Sequence, residues 1–190
     1  FDMFSIGIGP SSSHTVGPMR AAKAFCGELS EQSFFDKTDE IKVELFGSLG
    51  QTGKGHGTGK AVILGLLGHA PETIDSSMVD TYLEKVSSCQ RLNLDGKNLI
   101  KFPALNAIVF HRRKSLSQHP NGMTFHAMSN KTVITSQTYF SIGGGFIIRE
   151  QDFAKQKVAA LIHEEQPVPY DFSSAKQLLE YSKEQGLRIS

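Results

Sequence analysis

The sequence has no apolar run approaching the roughly 20 residues that a membrane-spanning helix needs, so no role inside a bilayer is expected. Its first residues, "FDMFSIGIGP", lack a basic region followed by a long apolar stretch, so they do not read as a secretory leader. An excess of charge of one sign is missing too. The formal net charge of +1 gives no reason to expect nucleic acid or an anionic membrane surface as a partner. Cysteine is scarce: Cys26 and Cys89 are far apart and share no metal-ligand spacing. Two thiols are too few for an iron–sulphur cluster held by the usual three or four. They read as buried free thiols, and a cytoplasmic location follows. Paired carboxylates for acid–base work are also absent, since Glu164-Glu165 falls in a stretch that reads as a linker.

What is present is enough apolar residue, 39% of 190, to build the core of about one domain. Val16, Met19, Ala22, Cys26 and Leu29 recur at helical spacing, which predicts an amphipathic helix over 15–35, with Pro18 tolerated in its first turn. "IKVELFGSL" (41–49) alternates and predicts a strand. The glycine-rich stretch 50–60 reads as a loop, "AVILGLLG" as a short buried helix, and 76–89 as a surface helix. After the turn dipeptide Asp95-Gly96 the pattern becomes β, with candidate strands in "NLIKF", "NAIVFHRR", "GMTFHAMS", "VITSQTYFSI" and "GFIIRE". Helices early and consecutive strands late predict an α+β domain with a mainly antiparallel sheet packed with helices. That domain is expected over 1–149. Residues 150–172 read as a linker, and 173–190 as the first helix of a further domain.

Four polar clusters could carry chemistry. Ser11-Ser12-Ser13-His14-Thr15 stands at a helix start, where exposed N–H groups favour a carboxylate or phosphate. The competing reading is ordinary N-capping by Ser13 or Thr15. Gly53-Lys54-Gly55-His56-Gly57-Thr58-Gly59-Lys60 superficially suggests a phosphate-binding loop, but the glycine spacing is one residue too long and Ala61 replaces the hydroxyl that would hold magnesium. Its glycines would still let backbone and His56 approach a ligand. His119-Pro120-Asn121-Gly122 reads either as a hairpin turn or as part of a site. Ser141 to Gly145 reads either as an anion nest or as a tight turn. His69, His111, His126 and His163 read as ordinary surface or core histidines.

Taken together and in order, "MFSIGIGPSSSHTVGPMRAA", "FGSLGQTGKGHGTGKAVILGLLG", "HPNGMTFHA" and "YFSIGGGFI" resemble the N-terminal β domain of bacterial iron–sulphur L-serine dehydratases over about Met3 to Ile148. The resemblance implies conversion of L-serine to pyruvate and ammonia. It implies a [4Fe–4S] cluster held by a separate α domain, with no cofactor or metal ligands in this chain. The implied partners are L-serine, the α domain and a second copy in a homodimer. The implied catalytic residues are His56, as the proton-transferring group, and His14. The implied substrate-binding residues are Ser11, Ser12, Ser13, Thr15, His119, Asn121 and Gly122. Without the α domain the chain is expected to be inactive. The β domain is also similar to the allosteric substrate-binding domains of some phosphoglycerate dehydrogenases, which keeps open a regulatory, serine- or anion-sensing module without catalytic residues.

Overall fold

A computed structural model describes residues 9–153, 155 and 173–186. The chain divides into two units, 1–153 and 154–190. In the first, α1 (Val16–Glu31) leads to β1 (Glu40–Leu45), α2 (Gly47–His56), α3 (Thr58–Leu66) and α4 (Val79–Cys89). Then come β2 (Arg91–Leu94), β3 (Asn98–Lys101), the single-turn α5 (Ala104–Ala107), β4 (Ile108–Phe110), β5 (Gly122–Ser129), β6 (Thr132–Gly143) and β7 (Phe146–Arg149). In the second unit α6 (Ala175–Glu184) starts at Ser174, whose hydroxyl accepts from the Gln177 N–H at 3.3 Å. The linker expectation falls mostly on residues 156–172, outside the described residues.

The seven strands form one sheet in the order β2-β3-β1-β5-β6-β7, with β4 also on β1. Strand β1 has Ile41, Val43 and Leu45 buried and Glu40, Lys42 and Glu44 on the other face, the period-2 alternation its sequence carries. Along one edge it pairs antiparallel with β5 over its whole length. Along the other it runs parallel to β3 at Glu40↔Lys101 and to β4 from Val43↔Ile108 to Leu45↔Phe110. The remaining pairs are antiparallel, so the sheet is mixed and mainly antiparallel. Helix α1 supplies Ala21, Phe25 and Leu29 to the core. There Phe25 stacks on Phe125 at 5.3 Å, and Phe125 meets Tyr139 edge-on at 5.8 Å. Each such fully buried aromatic contributes about 2–3 kcal/mol.

Three local expectations are corrected. Strand β1 ends at Leu45, and most of the glycine-rich "loop" is helix: α2 and α3 follow one another with only Gly57, in the left-handed region at φ 79°, between them. Glycine is the poorest ordinary helix former, but tertiary packing overrides propensity here. Gly47, Gly50 and Gly53 line the buried face of α2. A side chain at Gly50 would stand 2.3 Å from the His111 carbonyl oxygen, so only glycine lets the helix lie this close to the sheet. A phosphate-binding loop between strand and helix is therefore not what Gly53 to Lys60 build. Second, His119 to Gly122 is not a β4–β5 hairpin turn, because β1 lies between those strands and occupies the edges they would have shared. Third, Cys26 is buried as expected, but Cys89 is exposed. The turn at Ser129-Asn130 does join β5 to β6, with Asn130 and Lys131 both at positive φ.

Candidate functional site

The serine loop folds back on itself. Ser11's carbonyl accepts from the N–H groups of His14 (3.1 Å) and Thr15 (3.0 Å) and from the Thr15 hydroxyl (2.8 Å). Ser12's carbonyl accepts from the Gly17 N–H at 2.9 Å. Thr15 is 1% exposed, so its hydroxyl serves the loop and faces no solvent. Neither Thr15 nor Ser13 caps α1 through its side chain. The bonded backbone N–H groups are turned inward, which leaves the half-buried serine side chains as the polar groups presented by the loop.

His14 is the centre of the arrangement. Its Nδ1 lies 3.0 Å from Ser13 Oγ and 3.4 Å from Ser11 Oγ, and the two serine oxygens are 3.1 Å apart. Its Nε2 lies 3.0 Å from Thr52 Oγ1 and 3.2 Å from Ser48 Oγ, both on α2. Its carbonyl accepts from the buried Thr58 hydroxyl at 2.7 Å. Burial, and then the neighbouring His56, hold the His14 imidazole below the usual histidine range. His56, the last residue of α2, sits with its ring centroid 4.8 Å from that of His14. Helix α2 thus delivers Ser48, Thr52 and His56 to one imidazole.

The third motif is tied in through backbone. Pro120's carbonyl accepts from the Ser48 N–H at 2.8 Å, at the start of α2, where Gly47 (φ 56°) has no room for a side chain against that same carbonyl. His119 Nδ1 accepts from the Asn121 N–H at 3.1 Å. Asn121 donates its amide to the Ser141 carbonyl at 3.2 Å, and the Ser141 N–H donates to the Asn121 carbonyl at 3.0 Å. Gly122 opens β5, and its carbonyl accepts from the Phe46 N–H at 2.9 Å. The fourth motif closes on α1: the Gly145 carbonyl accepts from Arg20 at 2.9 Å, while Arg20 also pairs with Glu72. Ser11, Ser13, His14 and His56 meet directly. The link from His119 to His14 runs through Pro120 and Ser48. Lys54 and Lys60 are exposed.

Ser48 and Thr52 are the residues that sequence reasoning missed. Their signal was a four-residue spacing on a helix, hidden because the glycines suggested a loop. A second polar cluster was also missed. Glu44 bridges two histidines, His111 at 2.7 Å and His126 at 2.9 Å, and His126 Nδ1 lies 2.7 Å from Ser136 Oγ. Burial raises the Glu44 carboxyl, but the hydrogen bonds and charges of His111 and His126 outweigh it and leave it below the usual carboxylate range. A groove of about 660 Å³ lies elsewhere, lined by Tyr82, Val86 and Leu99 among others. Among the described residues no three His, Cys, Asp or Glu side chains converge as a metal site. Cys26 lies in the core and Cys89 at the end of α4, so the described residues do not fit as ligands of an iron–sulphur cluster.

The site is a buried histidine with hydroxyls at both nitrogens and a second histidine against it, on a mixed α/β domain. Comparison with known proteins gives the family. The profile of the serine dehydratase beta chain matches residues 1–152, and the chain belongs to that family. It is 43% identical over its whole length to an L-serine dehydratase of Haemophilus influenzae and 44% identical to one of Streptomyces coelicolor. L-serine dehydratase 1 of Escherichia coli is likewise 44% identical. The chain spans 41% of the length of each of these relatives.

Proposed function

We propose that this chain is the substrate-facing β domain of an L-serine dehydratase, and that its serine loop and histidine pair handle the amino acid and its protons. The observation that carries the reading is the 4.8 Å approach of His56 to His14, whose other neighbours are the hydroxyls of the serine loop and of α2. Imidazole exchanges protons near neutral pH. His56, less enclosed than His14, is the group proposed to take the α-proton of serine. Ser11, Ser12 and Ser13 are proposed to face the substrate carboxylate. Thr15, His119, Asn121 and Gly122 support the reading as the framework that fixes the loop and the start of α2. The [4Fe–4S] cluster that the resemblance implies has no fitting ligands among the described residues, so it belongs, in this proposal, to the part of the enzyme outside this chain.

The test uses the full-length enzyme, prepared anaerobically and assayed for pyruvate from L-serine. His56→Ala is expected to lower kcat by about 100-fold or more. Full turnover by this variant would remove His56 from the role. Calorimetry of the 190-residue chain with L-serine separates the regulatory reading: tight binding without the α domain, together with full turnover of the histidine variants, would establish a sensor in place of half an active site.

A further inference from the structure

The hydrogen bonds around His14 determine which of its nitrogens carries the proton. Thr52 has one hydroxyl proton, and its Oγ1 lies 2.9 Å from the Ser48 carbonyl oxygen, which can only accept. That contact takes the proton. Toward His14 Nε2, 3.0 Å away, Thr52 Oγ1 is then an acceptor, so Nε2 must donate. Ser48 Oγ, at 3.2 Å, shares the same N–H. With Nε2 protonated, the neutral ring has its lone pair on Nδ1, which accepts the Ser13 hydroxyl at 3.0 Å. Ser13 Oγ in turn accepts from the Ser11 hydroxyl at 3.1 Å. Every one of these contacts then has a proton in it. The opposite tautomer would have Thr52 donate to Nε2, leaving its contact with the Ser48 carbonyl without a proton and Ser48 Oγ competing for one lone pair.

We propose that Ser13 is a proton relay to His14, and that Thr52 and Ser48 are positioning residues that keep Nδ1 as its accepting nitrogen. A proton delivered to Ser13 Oγ by water or by the bound amino acid, directly or through Ser11, releases Ser13's own proton to Nδ1. The O–H bond of Ser13 breaks as a new one forms on the same oxygen, and the ring becomes an imidazolium that keeps its Nε2–H on Thr52. Reversal returns the proton. The buried ring beside His56 disfavours the charged form, so the equilibrium favours return of the proton. Ser13's only proton is thus committed to His14 and Ser11's to Ser13, so Ser12 is the hydroxyl of the three left to donate to a carboxylate. The arrangement of protons stands on geometry alone. Its use in turnover rests on the proposed serine dehydratase reading.

The first arm is long-range proton–nitrogen NMR of histidine-labelled 190-residue chain at a pH where His14 is neutral. The His14 signal is identified by its loss in His14→Asn. The Nε2–H form is expected, retained in Thr52→Ser and giving way to a mixture in Thr52→Val combined with Ser48→Ala. An Nδ1–H form in the parent chain, or no change in the double variant, would overturn the assignment. The second arm is kinetics of the full-length enzyme: Ser13→Ala lowers kcat by about 100-fold with little change in KM, and Ser13→Thr restores it. A raised KM at unchanged kcat would make Ser13 a binding group and overturn the relay. If the unaltered full-length enzyme makes no pyruvate from serine, the dehydratase reading fails, while the tautomer still stands or falls by NMR.

Discussion

The imidazole rings of His14 and His56 lie 4.8 Å apart between centroids and tilted by 51°, one from the loop before α1 and the other from the last turn of α2. Charge on one ring disfavours charge on the other. His56→Ala removes that repulsion and is expected to raise the His14 pKa, yet burial keeps it below the ordinary histidine value of about 6.5. An NMR pH titration of the His14 ring in the 190-residue chain measures this. A midpoint that falls or stays put would show that the two rings do not interact.

Three glycines in and just after α2 should respond differently to alanine. Gly55 meets nothing within 4 Å and is helical, so Gly55→Ala stabilises by about 0.5–1 kcal/mol. Gly57 is as open but left-handed, so Gly57→Ala costs about 1–2 kcal/mol through backbone alone. Gly50→Ala drives a methyl group into the His111 and Leu45 carbonyls, at 2.3 and 2.7 Å, and costs about 1–3 kcal/mol by lifting α2 from the sheet. Denaturant melts of the three variants give the order. Equal costs would mean that α2 is not held against the sheet backbone.

Glu44 should make stability depend on acid. Its carboxyl is depressed in the folded state, so its contribution is complete above the unfolded value of about 4.3 and is lost as pH falls through the lower folded value. The stability gap between the parent chain and Glu44→Gln is therefore fully open just above that unfolded value and closes in acid. Urea midpoints across that range provide the measurement, and a gap independent of pH would argue against the His111–Glu44–His126 bridge.

Thiol chemistry should divide the cysteines. Cys26 is 1% exposed, and burial first, with Asp95 second, pushes its thiol up to about 12. Cys89 is exposed. Mass spectrometry after treatment with an alkylating reagent should find Cys89 modified in the native chain and Cys26 modified only after unfolding. Native labelling of Cys26 would mean that the α1 face of the core opens.

Much of the fold is written in side-chain period. Ile41, Val43 and Leu45 alternate as a half-buried strand must, and α1 carries its apolar stripe from Val16 to Leu29. The glycine-rich segment misleads because propensity is local, whereas the reason for its glycines is distant: carbonyls of Leu45 and His111 that leave no space for a methyl group. The same misreading hides Ser48 and Thr52, which qualify as site residues only once α2 is known to be a helix facing His14.

By itself the sequence determined the α+β class, the mainly antiparallel sheet, the motifs of the serine dehydratase beta chain and the histidines worth attention, because those depend on residue type, period and order. Only the tertiary structure decided which of them come together. It placed β1 between β4 and β5, set α2 against the sheet, and brought hydroxyls from two segments to opposite nitrogens of one imidazole. A proton's position on a ring depends on what lies within 3 Å of each nitrogen, and no linear pattern carries that distance.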